Sequence, residues 1–187
     1  SSEGVESDPA DETSGIDPNA PIVSRLGDLW RIGPHRLLCA DALEVTSYAR
    51  LLGDQKASLV FVDPPYNVPI EGHVSGKGRA RHAEFAMASG EMSEAEFTGF
   101  LEKALGLHAA HSVDGALHFV CMDWRHSAEL LAASRSVYRE CKNVCVWVKT
   151  NAGMGSLYRS QHELVYVFKA GTAPHVNNVE LGRHGRT

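Results

Sequence analysis

A short segment in the first half of the chain constrains the fold more than any other part of its 187 residues. The apolar run 58–62 (SLVFV) is followed directly by Asp63-Pro64-Pro65-Tyr66. The run has the length and the branched and aromatic residues of a buried strand. Proline fixes its own φ angle and keeps the preceding residue out of the helical region, so the backbone after the strand is stiff. The sequence therefore predicts a rigid polar ledge, residues 63–66, at the carboxyl edge of a sheet, where open α/β folds bind ligands.

Apolar runs and helical patterns alternate along the chain, as they do in α/β proteins. A capping-box pattern, Ser93 with Glu96, predicts a helix that begins there and ends near His111. Two late apolar runs are joined by a short irregular link, which favours an antiparallel strand pair. The predicted strands cover 29–32, 36–39, 58–62, 115–121, 144–148 and 164–168, and the predicted helices cover 43–52, 93–111 and 125–139.

The residue types of the ledge suit a particular kind of ligand. Asp63 and the Pro64 carbonyl offer two hydrogen-bond acceptors on a stiff backbone, and the Tyr66 ring is placed beside them. Two acceptors next to an aromatic face match a planar group that carries an exocyclic amine. The alternative is purely structural: a strand followed by a proline turn, with Tyr66 filling the core.

The tetrapeptide resembles the Asp-Pro-Pro-Tyr motif of DNA amino-methyltransferases, which transfer a methyl group from S-adenosylmethionine to N6 of adenine or N4 of cytosine. From about Gly27 onwards the chain is similar to the amino-terminal half of the group in which the catalytic motif precedes the cofactor-binding glycine motif. The resemblance implies an α/β fold with a partial Rossmann-like sheet, helices on both faces and a terminal antiparallel strand pair. It also implies that Asp63, Pro64, Pro65 and Tyr66 are the catalytic residues.

The resemblance further implies a site-specific enzyme that methylates the amine of a base flipped out of DNA. Adenine N6 is the expected target, because an initial Ser is commoner in the family for cytosine N4. Asp63 favours DNA as the substrate, since related enzymes acting on RNA or protein glutamine usually begin the motif with Asn. Cytosine N4, an RNA or protein amine, and a non-catalytic DNA-binding fragment stay open as alternatives.

The implied cofactor is S-adenosylmethionine. Asp41 and Ala42 follow a predicted strand one βα unit before the ledge, and in the family an acid at this place can approach the cofactor adenine. Asp41, Ala42 and Asp63 are therefore the expected cofactor-binding residues, although an acid at a strand end is as often a helix N-cap. Nothing in the chain resembles the family's Phe-x-Gly-x-Gly cofactor motif. We therefore expect a catalytic piece that needs the carboxyl-terminal half of the same enzyme and turns over little alone.

Basic residues in two loops are the expected contacts to double-stranded DNA. Lys77, Arg79 and Arg81 lie in a polar, glycine-rich stretch directly after the ledge, where they can grip phosphates. Lys149 and Arg159 lie in a stretch that resembles the family's loop near the target base. The alternative for the first set is an ordinary solvated loop.

Composition sets the outer limits of the domain. The net charge is −5, and the first 17 residues carry many acids but no Lys or Arg. We expect a disordered acidic linker at 1–24, the catalytic domain at 25–171, and the start of a target-recognition region or a tail at 172–187. No signal-peptide pattern and no membrane-spanning run is present, so a cytoplasmic protein is expected. A homodimer is left open.

The four cysteines, at positions 39, 121, 141 and 145, lie in or beside apolar strand-like runs. They form no Cys-x-x-Cys pair, and the ten histidines are scattered. We therefore expect reduced, buried thiols and no metal site.

Overall fold

The computed structural model describes residues 21–68, 87–150 and 157–178, which fall into two units that divide between Ala40 and Asp41. The predicted linker lies mostly outside these ranges, so the domain limits stay predictions. The described elements are β1 (Leu29–Ile32), β2 (His35–Leu38), α1 (Val45–Leu52), β3 (Ala57–Val62), α2 (Glu94–Ala110), β4 (Ser112–Met122), α3 (Ser127–Val137), β5 (Glu140–Val148) and β6 (His162–Lys169). A single 3-10 turn, Trp124–His126, precedes α3.

The first unit contains an antiparallel hairpin of β1 and β2, in which Ile32 pairs with His35. Gly33 occupies the turn with a φ of 58°, a left-handed conformation that glycine adopts without a steric cost. The Gly27 amide donates to the Cys39 carbonyl at 2.7 Å and closes the open end of the hairpin. The two strands that the sequence predicts at 29–32 and 36–39 are thus confirmed, and they pair with each other.

The second unit contains a four-stranded mixed sheet in the order β3-β4-β6-β5. β3 and β4 are parallel, whereas β6 is antiparallel to both of its neighbours. The carboxyl ends of β3, β4 and β5 and the beginning of β6 therefore lie at one edge, which we call the carboxyl edge. With three helices, these strands make a mixed α/β fold, and the predicted antiparallel pair is confirmed as β5 and β6.

The helix α2 begins with the predicted capping box. The Ser93 hydroxyl accepts the Glu96 amide at 3.3 Å, and the Glu96 carboxylate accepts the Ser93 amide at 2.9 Å. Apolar faces of α2 and α3 pack with the sheet into one buried cluster, whose members include Phe97, Leu101, Leu105, Val120, Met122, Leu130, Tyr138, Tyr166 and Phe168. None of the helices in the described ranges is both long and apolar enough to cross a membrane.

The opposite face of the sheet carries apolar residues that remain open to solvent. Leu59 and Phe61 on β3 are 55% and 64% exposed, and Trp147 on β5 is 60% exposed. The helices α2 and α3 contribute to the buried cluster on the other face, which is the face that carries Val120 and its partner Tyr166, whereas α1 has no buried residue. The expectation of helices on both faces therefore stays a prediction.

The expectation of buried cysteines is wrong for three of the four. Cys121 is buried in β4, but Cys39, Cys141 and Cys145 are exposed, and all four are free thiols. The physical reason for the two late cysteines is that β5 is an edge strand, and every one of its residues is exposed. An apolar run thus predicted the strand correctly but not its position at the edge.

Candidate active site at the carboxyl edge

The ledge lies where the sequence predicted it, directly after β3 at the carboxyl edge. Asp63 is exposed, whereas Pro64, Pro65 and Tyr66 are half-buried. The Tyr66 side chain packs against the buried cluster, and its hydroxyl donates a hydrogen bond to Oδ1 of Asp63. The turn therefore holds the acid outside the sheet and anchors the aromatic ring at its margin.

The protonation state of Tyr66 follows from this placement. Burial raises the pKa of Tyr66 far above its usual range, and the hydrogen bond to Asp63 raises it further. The hydroxyl is therefore a neutral donor at ordinary pH. In the described part of the chain, Oδ1 of Asp63 accepts this bond and no partner occupies Oδ2. The ring packs on the core and the hydroxyl reaches the acid, so the purely structural alternative stays open beside the functional one.

Asn67 fixes the chain that leaves the ledge. Its φ is 55°, and its side chain is buried. The side-chain amide donates to the Met92 carbonyl at 2.8 Å, and Oδ1 accepts the Gly90 amide at 3.0 Å and the Met92 amide at 3.2 Å. Sequence reasoning missed this residue, although asparagine tolerates a positive φ better than most residues and so marks a turn.

Two more titratable groups, the thiol of Cys121 and the carboxylate of Glu163, influence the pKa of Tyr66 in the ledge. Burial raises the pKa of the Cys121 thiol to about 11, and the negative charges of Asp63 and Glu163 add to that effect. The same two carboxylates also contribute to the raised pKa of Tyr66. The carboxyl edge thus combines two carboxylates with a neutral phenol and a neutral thiol. Glu163 influences these two pKa values because β6 pairs with β4, and the sequence alone does not predict that pairing.

The two described basic residues of the predicted DNA contact differ in their surroundings. Lys149 forms an ion pair with Glu163 and lies 6.0 Å from the centre of the Trp147 ring. Its backbone is tied to Gln161, whose carbonyl accepts the Lys149 amide at 2.9 Å. Arg159 is exposed. The other three predicted contacts, Lys77, Arg79 and Arg81, lie outside the described residues.

A second aromatic residue stands at the end of β4. Trp124 is 48% exposed, and the Arg125 guanidinium lies 5.0 Å from the centre of its ring. Asp123 holds that guanidinium with two contacts of 3.1 Å and accepts the Arg125 amide at 2.9 Å. The turn after β4 therefore presents a cation over an aromatic ring at the same edge as the ledge.

Asp41 and Ala42, the predicted cofactor residues, form a turn that leads into α1. Asp41 Oδ1 accepts the Leu43 amide at 2.8 Å, and its carbonyl accepts the Ser47 hydroxyl at 2.6 Å. The Ala42 carbonyl accepts the Tyr48 hydroxyl at 2.8 Å. The N-cap of α1 is Glu44, so Asp41 closes the preceding turn instead of capping the helix. No described hydrogen bond or ion pair joins Asp41 to Asp63.

The geometry allows a defined kind of chemistry. An exposed carboxylate with one oxygen held and no described partner on the other can accept an N–H from a ligand. Charge-assisted hydrogen bonds of this type are roughly twice as strong as neutral ones. A scan against protein-family models gave no match, and a search of the curated proteins found no matching protein.

Proposed function

We propose that the chain carries the catalytic ledge of a site-specific DNA methyltransferase, which transfers a methyl group from S-adenosylmethionine to N6 of a flipped adenine. The observation that supports the proposal most is the exposed Asp63 carboxylate, held after a parallel strand at the carboxyl edge and followed by two prolines. The position matches the edge at which open α/β sheets bind their ligands. The tetrapeptide itself resembles the family's motif, as the sequence indicates.

The chemistry needs two acceptors on one amine. The lone pair of an aromatic amine is delocalised into the ring, which makes the nitrogen a poor nucleophile. When Asp63 and the Pro64 carbonyl each accept one N–H, the nitrogen shifts towards a tetrahedral geometry and its lone pair becomes directed. Asp63 and Pro64 therefore act by positioning and electrostatic stabilisation. The proton that the amine loses can leave to solvent, because Asp63 is exposed.

The residues present are compatible with the cofactor. When bound, S-adenosylmethionine would supply an electrophilic methyl group on a positively charged sulfur, with a neutral thioether as the leaving group. The exposed Asp63 brings a carboxylate to this edge, which favours a cation there, whereas the charge of Glu163 is paired with Lys149. Asp41 is exposed and keeps Oδ2 without a described partner, so it can accept a hydrogen bond from the adenosine part.

A duplex must open for its base to reach the ledge. Flipping costs a few kcal/mol for unpairing and unstacking. Stacking on an aromatic side chain such as Tyr66 returns about 1–3 kcal/mol, so phosphate contacts must supply the rest. The proposed sources of those contacts are Arg159, which is exposed, and Lys77, Arg79 and Arg81, which follow the ledge in the sequence.

The arrangement of strands supports a Rossmann-like sheet of the methyltransferase type. β3 and β4 are parallel and are joined through α2, as in a βαβ unit. The antiparallel β5 and β6 complete one end of the sheet, as the resemblance implies for the terminal pair. On this proposal, the ledge follows the first strand of that unit.

The experiment that tests the proposal measures radiolabelled methyl transfer from S-adenosylmethionine by the full-length gene product. Duplex DNA, structured RNA and a glutamine-containing protein substrate are compared at equal concentration, and labelled DNA is hydrolysed to identify the modified base. We expect label in DNA only, recovered as N6-methyladenine. Recovery as N4-methylcytosine would correct the target base, and label in RNA or protein alone would contradict a DNA substrate.

A further inference from the structure

We propose that the hydroxyl group of Tyr66 positions Asp63 for the reaction, in addition to any contact that the Tyr66 ring makes with a base. This inference rests on the proposed function and assigns a separate task to one oxygen atom. The motif explains the ring, which can stack on a base. It does not explain the hydrogen bond from the hydroxyl to the carboxylate three residues earlier in the chain.

The two partners of this bond are held very differently. Tyr66 is half-buried, and its side chain packs against the cluster that includes Met122 and Tyr166. Asp63 is exposed, and Tyr66 is the only hydrogen-bond partner that its carboxylate has in the described ranges. The phenol is therefore the fixed member of the pair, and the carboxylate is the member that would otherwise rotate freely.

Backbone rigidity alone does not orient the carboxylate. Pro64 restricts the backbone of Asp63, but the χ1 and χ2 angles of the aspartate stay free. A donor on Oδ1 selects one orientation and leaves Oδ2 available for the amine. Reactions that depend on two acceptors at one nitrogen are sensitive to such orientation, since small displacements of a catalytic group reduce rates strongly.

The hydroxyl is also the right kind of donor for this task. Burial and the hydrogen bond to Asp63 raise the pKa of Tyr66, and the charges of Asp63 and Glu163 add to that effect, so the phenol that donates to Oδ1 is neutral at ordinary pH. A neutral donor on one oxygen leaves the negative charge of the carboxylate in place. The amine of a substrate thus still meets a charged acceptor.

The test is Tyr66→Phe in the full-length gene product, which removes the hydroxyl and keeps the ring. We expect kcat to fall about 10- to 100-fold, the loss typical of a hydrogen bond to a charged group. The KM for DNA should stay nearly unchanged, because the ring remains. If the ring alone matters, Tyr66→Phe will match the wild type while Tyr66→Leu raises KM, and that pattern would overturn the inference.

A matched control separates positioning from a general loss of stability. Tyr138→Phe removes another phenol hydroxyl, one that bonds to His118 in the core. We expect Tyr138→Phe to lower the melting temperature without changing kcat well below that temperature. If both variants lower kcat equally, the role of Tyr66 is structural and the inference fails. A wild-type protein that methylates no substrate would instead refute the proposed function, before Tyr66 is considered.

Discussion

At the scale of single residues, buried His118 shows how neighbouring groups determine a protonation state. Its Nε2 lies 2.9 Å from the Ser112 hydroxyl, and its Nδ1 lies 2.9 Å from the Tyr138 hydroxyl. The Ser112 hydroxyl donates to the His108 carbonyl at 2.7 Å, so it must accept from His118 Nε2–H. His118 Nδ1 then accepts from Tyr138. The network is satisfied by the neutral imidazole.

The network predicts a loss of stability in mild acid. Burial lowers the pKa of His118 from its ordinary 6.5 to about 4, and burial also lowers the pKa of His108. Between pH 6.5 and pH 4, His118 is protonated in the unfolded state but stays neutral in the folded state. The free energy of unfolding should therefore fall as the pH drops from 6.5 to 4. The contribution of His118 is up to about 3 kcal/mol.

Chemical denaturation between pH 4 and pH 7 measures this dependence. His118→Gln should flatten the slope of unfolding free energy against pH, whatever its effect on absolute stability. His35→Gln, which changes an exposed histidine in the hairpin, is the control and should leave the slope as it is. An unchanged slope in His118→Gln would contradict the buried neutral histidine.

At the scale of elements, Gly115 shows how β4 begins. Its φ is 90°, and a Cβ atom there would lie 2.6 Å from the Pro174 carbonyl oxygen and 2.9 Å from that of Ala173. Asp114 accepts the Ala173 amide at 2.9 Å and also binds the Thr172 amide, and these bonds lower the pKa of its carboxyl group. The chain after β6 is therefore hydrogen-bonded to Asp114 and packs closely against Gly115, near the beginning of β4.

Alanine substitutions at three glycines should have opposite effects. Gly115→Ala places a Cβ against backbone at a positive φ, so we expect a loss of about 1–3 kcal/mol in unfolding free energy. Gly99 and Gly106 lie within α2, and a Cβ there meets nothing within 4 Å. Alanine at either should stabilise the protein by roughly 0.5–1 kcal/mol. Urea denaturation of the three variants measures the difference, and a stabilising Gly115→Ala would contradict the close approach.

Local patterns explain which elements the sequence could predict. The capping box at Ser93 and the apolar spacing after it define α2, and the short link around Gly33 defines the hairpin. β4 begins at Ser112, earlier than the predicted 115, because hydrogen bonds from segments far away in the chain extend it around Gly115. Those contacts depend on the tertiary fold, which short-range patterns do not contain.

In the candidate site, too, local sequence signals predict some features, whereas others depend on tertiary contacts. The position of Asp63 after a strand could be predicted, since the apolar run and the prolines are local signals. The hydrogen bond from Tyr66 could not, because it depends on how the Tyr66 side chain packs against the buried cluster, which is a tertiary contact. The ion pair of Lys149 with Glu163 depends on the register of β5 and β6, in which Trp147 pairs with Glu163.

At the scale of the whole molecule, charge distribution matters more than net charge. The chain carries −5 overall, which by itself opposes DNA binding. Many of its acids lie in the first 17 residues, whereas Lys77, Arg79 and Arg81 follow the ledge within 15 residues of Tyr66. The proposed function therefore assigns DNA binding to the local positive segment that follows the ledge in the sequence, and the salt dependence of binding reports on such contacts.

Neutralising this segment should reduce the salt dependence of binding. With Lys77, Arg79 and Arg81 changed to Gln, we expect the slope of log K against log salt concentration to fall in magnitude by about 2 to 3. The control changes three exposed basic residues elsewhere, Arg50, Lys56 and Lys103, and should leave the slope unchanged. Fluorescence anisotropy with labelled duplex DNA measures both. Equal slopes in the wild type and the first variant would exclude phosphate contacts there.

The proposed reaction depends on Asp63 as an amine acceptor, and methyl transfer to duplex DNA by Asp63→Ala tests this directly. We expect the full-length variant to lose transfer about a hundredfold or more while its circular dichroism spectrum stays that of the wild type, because Asp63 is exposed. Asp54→Ala, a change of another exposed acid in the turn before β3, should retain full activity. Methylation by Asp63→Ala at the wild-type rate would contradict the account.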